Sequence, residues 1–102
     1  MGDLIPLSDR PLHPKSAADR IRALWRDGSV MWTHHAEHQM KARQIEMTDV
    51  QHIIRYGRVV SHERGRHRWR YRMDGQCVDG RRAACVAEVN GLLVIVTAFF
   101  AD

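Results

Sequence analysis

The sequence predicts an α+β fold in which N-terminal helices pack on an antiparallel sheet of about four strands. Apolar residues recur at helical spacing in the N-terminal half, whereas alternating and wholly apolar runs of strand type fill the C-terminal half. Helices followed by an antiparallel meander are typical of a two-layer domain. A chain of 102 residues has room for one modest core. We therefore expect a single domain over residues 16–102.

The N-terminal segment differs from the rest of the chain in composition. Residues 1–15 contain all three prolines and show little periodicity, which predicts an extended or disordered arm. The first helix is expected to begin after Ser16 as its N-cap and to end at Gly28. Ile21 and Leu24 lie at helical spacing and are expected to face the core.

Two further helices are predicted before the sheet. Residues 29–33 are a candidate for a short strand, and residues 34–44 for the second helix. Thr48 and Gln51 have the spacing of a capping box, which predicts a third helix ending at Gly57.

Strand-like runs separated by glycine-containing turns occupy residues 58–63, 66–73, 82–89 and 92–99. Asn90-Gly91 is a strong signal for a two-residue hairpin between the last two runs. The run after Gly91 is apolar except for Thr97, so we expect it in the middle of the sheet with both faces covered. The same run is too short to span a membrane.

The segment 66–73 alternates arginine with larger, less charged residues. A strand would place its arginines on one face and would turn His67 and Tyr71 toward the core or the helices. Adjacent guanidinium groups match the geometry of phosphate, which favours a nucleic-acid ligand. The alternative is a solvated outer strand whose arginines pair with Asp and Glu of its neighbours. The arginines of this face are Arg66, Arg68, Arg70 and Arg72.

The charge and cysteine content indicate a cytoplasmic protein with an affinity for polyanions. The net charge is +4, and the excess of arginine is concentrated in residues 58–72. Cys77 and Cys85 match neither a redox pair nor a zinc site, so we expect free, partly buried thiols, with a bridge across a hairpin as the alternative. We see no secretory signal, which predicts a reducing compartment.

His34 and His38 stand at i,i+4, a spacing that can bind a metal on a helix. No HExxH pattern and no third ligand accompany them. We therefore expect no metal and no cofactor.

A resemblance to a known family runs from about Thr33 to Phe99. The family is a bacterial group of small domains of uncharacterised function, with the pattern His-Ala, Arg-Met, Arg-Gly-Ile, a capped helix ending in glycine, and a Val-Thr pair. Gln39 stands where that family usually has arginine, and Gln44 where it has glycine. The matching segments are residues 33–45, 48–50, 54–57 and 96–97.

The order of elements also resembles the RelE/ParE toxin superfamily and, with the added N-terminal helix, the motility quorum-sensing regulator (MqsR) toxins. This resemblance implies a RelE/MqsR-like two-layer fold and cleavage of messenger RNA without a metal, with or without the ribosome. In the ParE branch it implies inhibition of gyrase instead, and in either case a cognate antitoxin. Ala83 and Ala84 occupy the neighbourhood where the lysine and tyrosine of an MqsR active site would be sought.

Such a ribonuclease needs a base for the 2′-hydroxyl proton, cations for the charge on phosphorus and an acid for the leaving oxygen. Arg68 and Arg70 are candidates for a phosphate clamp, and His35 and His62 for proton transfer. His35 is otherwise a structural histidine at a helix start. The candidates for binding nucleic acid along its backbone are Arg43, Arg58, Arg66 and Arg72.

Two of these assignments have alternatives. Glu88 either acts as a base from the neighbouring strand or neutralises Arg68 or Arg70. Arg43 either faces the cleft or pairs with Glu46 or Asp49.

The sequence therefore favours a toxin-like, metal-independent RNA endonuclease of a toxin–antitoxin system. Its expected partners are RNA and a cognate antitoxin, with no membrane association. The alternative is a non-catalytic protein-binding module, such as a gyrase inhibitor. A third hypothesis is a housekeeping domain that binds RNA.

Overall fold

Helices and strands form two layers in the computed structural model, which describes residues 10–101 and confirms the predicted α+β class. Most of the arm predicted over residues 1–15 lies outside the described residues. Its last described part contacts the body, because the Leu12 N–H donates to the Tyr71 hydroxyl at 2.7 Å. The elements are α1 (Pro14–Arg26), β1 (Val30–Trp32), α2 (His34–Arg43), α3 (Met47–Tyr56), β2 (Arg58–Arg64), β3 (Trp69–Gln76), β4 (Arg82–Asn90) and β5 (Leu92–Phe100).

Within residues 10–101, the sheet has five strands in the order β1-β5-β4-β3-β2. The four predicted strands form the antiparallel meander, with a hairpin at Gly91, which has φ +71°. The short β1 adds a fifth strand parallel to β5. The expectation that β5 is covered on both faces was wrong: β5 is an inner strand, but Leu92 is 41% exposed.

The helices α1, α2 and α3 pack on one side of the sheet around a core cluster. Alternate residues of the strands point into this core, because successive side chains of a strand lie on opposite faces of the sheet. The strand residues of the core are Val59, Tyr71, Met73, Ala83, Cys85, Ala87, Leu93, Ile95 and Ala98. No helix within residues 10–101 has the length and apolar character needed to cross a membrane.

Two helix starts differ from the sequence prediction. α1 begins at Pro14 rather than after Ser16, because a proline at the first helical position has a suitable φ and no N–H to satisfy. α3 begins at Met47, with Glu46 and Asp49 in the capping box predicted for Thr48 and Gln51.

Asp49 is a buried carboxylate that joins α3 to the β3–β4 loop. One oxygen, Oδ2, accepts from the Glu46 N–H at 2.9 Å, and Oδ1 accepts from the Val78 N–H at 2.9 Å. The carboxylate is only 8% exposed, so these hydrogen bonds compensate its loss of hydration.

Gln44 ends α2 in a left-handed conformation, with φ +58° and ψ +41°. The Ile45 N–H donates to the Met40 carbonyl at 2.9 Å, which closes the helix end. A left-handed C-cap favours glycine, since a side chain there meets its own backbone. This conformational preference gives a physical reason for the glycine at this position in the family that the sequence resembles.

We expect Gln44→Gly to raise the free energy of unfolding by about 0.5–1 kcal/mol, because it relieves the left-handed strain. The measurement is urea unfolding followed by circular dichroism. Lys41→Gly, at an exposed position inside α2, is the matched control and is expected to cost about 1 kcal/mol. Equal destabilisation by both substitutions would contradict this interpretation of Gln44.

Both cysteines are free and fully buried, in agreement with the predicted free thiols. Burial raises the pKa of the Cys85 thiol to about 12. Burial also raises the pKa of Cys77, with a further contribution from the negative charge of Asp49. Since a raised pKa lowers the thiolate fraction at a given pH, both groups are protonated at pH 8.

We expect neither thiol to react with a disulfide reagent at pH 8 until the protein unfolds. The absorbance of the released chromophore should stay constant in buffer. In denaturant it should rise to the value expected for reaction of both thiols. Rapid reaction of the native protein would contradict the burial described here.

Candidate functional site

The side of the sheet opposite the helices is its open face, since no helix within residues 10–101 packs on it. Residues on this face alternate with those of the core and align across the strands by register. The open face carries Arg58, Ser61, Glu63, Arg70, Arg72, Asp74, Arg82, Val86, Glu88, Thr97 and Phe99.

Two arginines of β3 dominate the middle of the open face. Arg70 Nε lies 2.7 Å from Glu88 Oε2, and Arg72 Nε lies 2.7 Å from Asp74 Oδ1. Glu88 therefore neutralises Arg70, which is one of the two alternatives predicted for Glu88 from the sequence. A guanidinium has five N–H donors, more than one carboxylate can accept, so each arginine retains donors for a second anion.

Arg72 also lies against an aromatic ring. Its guanidinium carbon is 5.0 Å from the centre of the Phe99 ring, within the range of a cation–π contact. The side chain of Arg72 is 37% exposed, so it remains accessible from solvent. An accessible cation beside an aromatic ring suits a ligand that has both a phosphate and a base.

A cleft of about 360 Å³ opens beside these arginines. It is lined by Ser61, His62, Glu63, Arg70, Arg72, Val86 and Phe99. A second cleft, of about 300 Å³, lies toward Arg58 and Arg82, which flank Asp74. Neither Arg58 nor Arg82 has an ion-pair partner among the described residues. The unneutralised positive charge of the open face is therefore concentrated at this end.

The predicted strand over residues 66–73 was partly wrong, because β3 starts only at Trp69. Residues 65–68 make the turn from β2, and the Gly65 N–H donates to the Arg68 carbonyl at 2.8 Å to close it. Arg66 and Arg68 therefore lie in the turn and do not extend the row of Arg70 and Arg72. Arg66 is exposed, whereas Arg68 is half-buried and has contacts of its own.

The turn nevertheless stays close to the open face. A Cβ atom on Gly65 would lie 2.9 Å from Arg70 Nε and 2.9 Å from Glu88 Oε2. The same Cβ atom would lie 2.6 Å from the backbone carbonyl oxygen of Arg68, so glycine suits both the turn and its approach to this ion pair. The approach places Arg66 and Arg68 beside the Glu88 end of the open face.

The two candidate histidines are not brought together. His62 pairs with Tyr71 in the register, so it points to the helix side, and its ring lies 5.3 Å from the Trp69 ring. It still borders the cleft, because β2 is the edge strand. His35 is exposed at the start of α2, which packs against β5 on the side opposite Arg70.

Arg43 also lies apart from the cleft. Its Nε donates to Gln39 Oε1 at 2.9 Å, and within residues 10–101 it makes no ion pair with Glu46 or Asp49; its role in binding nucleic acid stays a prediction. Tyr71 is buried as expected. His67 is exposed in the turn, contrary to the expectation that it faces the core or the helices.

Sequence reasoning missed Ser61, Glu63, Arg82 and Phe99 at this site. Phe99 belongs to a run that is apolar throughout, and its face depends on a register shift between Val86 and Ala87 that has no signal in composition. Glu63 faces the same side as Arg70 by register, and period two along β2 could have indicated this. Among residues 10–101, no group of three or more His, Cys, Asp or Glu side chains is placed to hold a metal ion.

Comparison with known proteins gives one result. The model of a domain family of unknown function, DUF4258, matches residues 32–100. This segment runs from the end of β1 to the end of β5 and includes every residue of the open face named above. No curated protein and no solved structure matches the chain significantly.

Proposed function

We propose a function for this chain, which belongs to the DUF4258 family of domains of unknown function: it is a toxin-like endonuclease that cleaves RNA on the open face of its sheet. The observation that carries the proposal is the cleft that combines Arg70 and Arg72 with the Phe99 ring. No helix of the described chain covers this cleft.

Single-stranded RNA suits this surface in charge and shape. Phe99 offers its ring to one base, an interaction worth about 1–3 kcal/mol. Arg72 lies beside that ring and binds the adjoining phosphate, and Arg58 and Arg82 bind the next phosphates toward the second cleft. Arg66, in the turn between β2 and β3, extends this row of phosphate-binding arginines in the opposite direction.

The chemistry is a metal-independent transesterification. Glu63, exposed on the open face, takes the proton of the 2′-hydroxyl. The 2′-oxygen then forms a bond to phosphorus, and the bond from phosphorus to the 5′-oxygen breaks. Arg70 and Arg72 stabilise the negative charge on the phosphate oxygens. The 5′-oxygen takes a proton from water as it leaves, because the His62 ring lies on the helix side of β2 against Trp69, and the products are a 2′,3′-cyclic phosphate and a 5′-hydroxyl.

This arrangement changes the roles expected from the sequence. His35 has no part in it, because α2 lies on the other side of the sheet. In the phosphate clamp, Arg72 takes the role that the sequence predicts for Arg68. A cognate antitoxin would inhibit the enzyme by covering the open face.

The test is incubation of the purified protein with a defined single-stranded RNA in EDTA, which removes contaminating metal-dependent nucleases. We expect fragments that end in cyclic phosphate, produced by the wild type and not by Glu63→Gln. RNA that stays intact both with the protein alone and with translating ribosomes would overturn the proposal.

A second function is favoured by a different observation. By register, Met31 and Leu92 extend the open face along β1 and β5, and they are 54% and 41% accessible. The central arginines of the face are already paired with carboxylates. Such a mixed surface suits a protein partner, so the second candidate is a non-catalytic module of the ParE type. It predicts inhibition of gyrase supercoiling while the RNA stays intact.

A further inference from the structure

A second cationic cleft lies on the helix side of the molecule, in the groove between α1 and α3. Its volume is about 230 Å³. It is lined by Arg22, Trp25, Arg26, Gln51, Ile54 and Arg55. The groove is formed by helices alone, so it is separate from the open face of the sheet.

We propose that this groove binds a nucleoside monophosphate, with the phosphate between Arg26 and Arg55 and the base against Trp25. The proposal is independent of the function proposed above. It rests on the balance of charge in the groove, on the fixed position of Arg22 and on the aromatic wall.

The charge balance is the first argument. The lining includes arginines from both helices and no carboxylate. Within residues 10–101, neither Arg26 nor Arg55 has a carboxylate within 4.0 Å, whereas Arg70, Arg72 and Arg81 each have one at 2.7 Å. Uncompensated guanidinium groups on facing helices attract an anion, and their planar forks fit phosphate oxygens.

Arg22 is held in the groove by backbone atoms rather than by an acid. Its Nε donates to the Ile54 carbonyl at 2.8 Å, and its Nη2 donates to the Gly57 carbonyl at 2.6 Å. These carbonyls form the negative end of α3, which would otherwise repel an anion. Arg22 offsets that partial charge, so Arg26 and Arg55 remain available for the ligand.

Trp25 supplies the apolar wall for a base. It is half-buried, and its ring packs edge-to-face on Trp32 with centroids 5.9 Å apart, which holds its orientation. Gln51 adds an amide that can both donate to and accept from a base edge. The volume is below the usual range of about 300–1,000 Å³ for sites of drug-sized ligands, so it suits a mononucleotide with part of its base exposed.

The experiment titrates the full chain with AMP, adenosine and inorganic phosphate while tryptophan fluorescence is recorded. We expect saturable quenching by AMP, at least about 10-fold weaker binding of phosphate and of adenosine, and loss of the AMP signal in Trp25→Phe. Calorimetry of Trp25→Phe would show whether AMP still binds without the reporter, and we expect at least about 10-fold weaker binding there as well.

The variants Arg26→Gln and Arg55→Gln are each expected to weaken AMP binding by about 10-fold or more, with an unchanged circular dichroism spectrum. Arg20→Gln, on an exposed part of α1 outside the groove lining, is the matched control and should bind AMP as the wild type does. Arg72→Ala should also bind normally, which separates this site from the open face.

Any of three results would overturn the proposal. They are equal affinity for AMP and inorganic phosphate, equal loss of affinity in Arg20→Gln and Arg26→Gln, and no saturable binding of AMP up to about 10 mM.

Discussion

Replacement of Arg72 by alanine is expected to lower the rate of RNA cleavage by about 100- to 1,000-fold, the usual effect of removing a group that stabilises transition-state charge. Arg72 is the better test of the two central arginines. Its partner Asp74 is 37% exposed, so removing this pair costs roughly 0–1 kcal/mol of stability. Glu88, the partner of Arg70, is only 17% exposed and would be left as a half-buried, unpaired charge.

The assay is the initial rate of cleavage of a fluorescent RNA in EDTA, beside urea unfolding of each variant. Arg72→Lys keeps the charge but loses the planar fork, so we expect an intermediate rate. Arg20→Ala changes the net charge by the same amount on the helix side and should retain the wild-type rate. A wild-type cleavage rate in Arg72→Ala would show that Arg72 is not part of the catalytic site.

Gly57→Ala is expected to cost about 3 kcal/mol or more of the free energy of unfolding. A Cβ atom at this position would lie 2.5 Å from the Ile53 carbonyl oxygen and even closer to the carbonyl oxygen of Asp74. Both obstacles are backbone atoms, one at the end of α3 and one in β3, so neither can rotate away. A loss of this size is a large fraction of the total stability of a small domain.

Gly28→Ala is the matched control for this prediction, measured by the same urea unfolding. A Cβ on Gly28 meets nothing within 4 Å, but its φ of +77° disfavours any side chain. We expect a cost of about 1–2 kcal/mol from this conformation alone. A smaller loss in Gly57→Ala than in Gly28→Ala would show that the contact between α3 and β3 is not as close as described.

The fold class was predictable because it follows from the local periodicity of apolar residues. The apolar spacing of α1 and α3 and the hairpin signal at Gly91 are properties of short segments, and the structure confirms these elements. The start of α3 was less predictable, since Thr48 is by residue type a better N-cap than Glu46. Tertiary contacts of Asp49 favour Glu46 as the cap, and these contacts have no signal in the sequence.

The arginine row shows the limit of a local pattern. Alternation in residues 66–73 predicts a strand, but the chain must turn after β2, and Gly65 alone cannot make that turn. The turn therefore takes Arg66 and Arg68 out of the strand. Alternation placed Arg70 and Arg72 on one face correctly, because that part of the segment pairs with neighbours on both sides.

The partners across the strands were the least predictable part of the site. Glu88 could be proposed beside Arg70 because both lie on strands predicted to be neighbours. Phe99 depends on the register shift in β4, and the separation of His35 from the cleft depends on which side of the sheet α2 packs. These are properties of the packed molecule rather than of any one segment.

The most direct test of RNA binding on the open face is an NMR titration of the labelled protein with a short single-stranded RNA that carries a 2′-O-methyl group at each position to prevent cleavage. We expect the largest amide shifts at Arg72, Val86 and Phe99, with those of α2 unchanged. The shifts should decrease as salt is raised, because phosphate contacts release counterions. Shifts confined to the helices, or none at millimolar RNA, would contradict the assignment of the open face as the RNA-binding site.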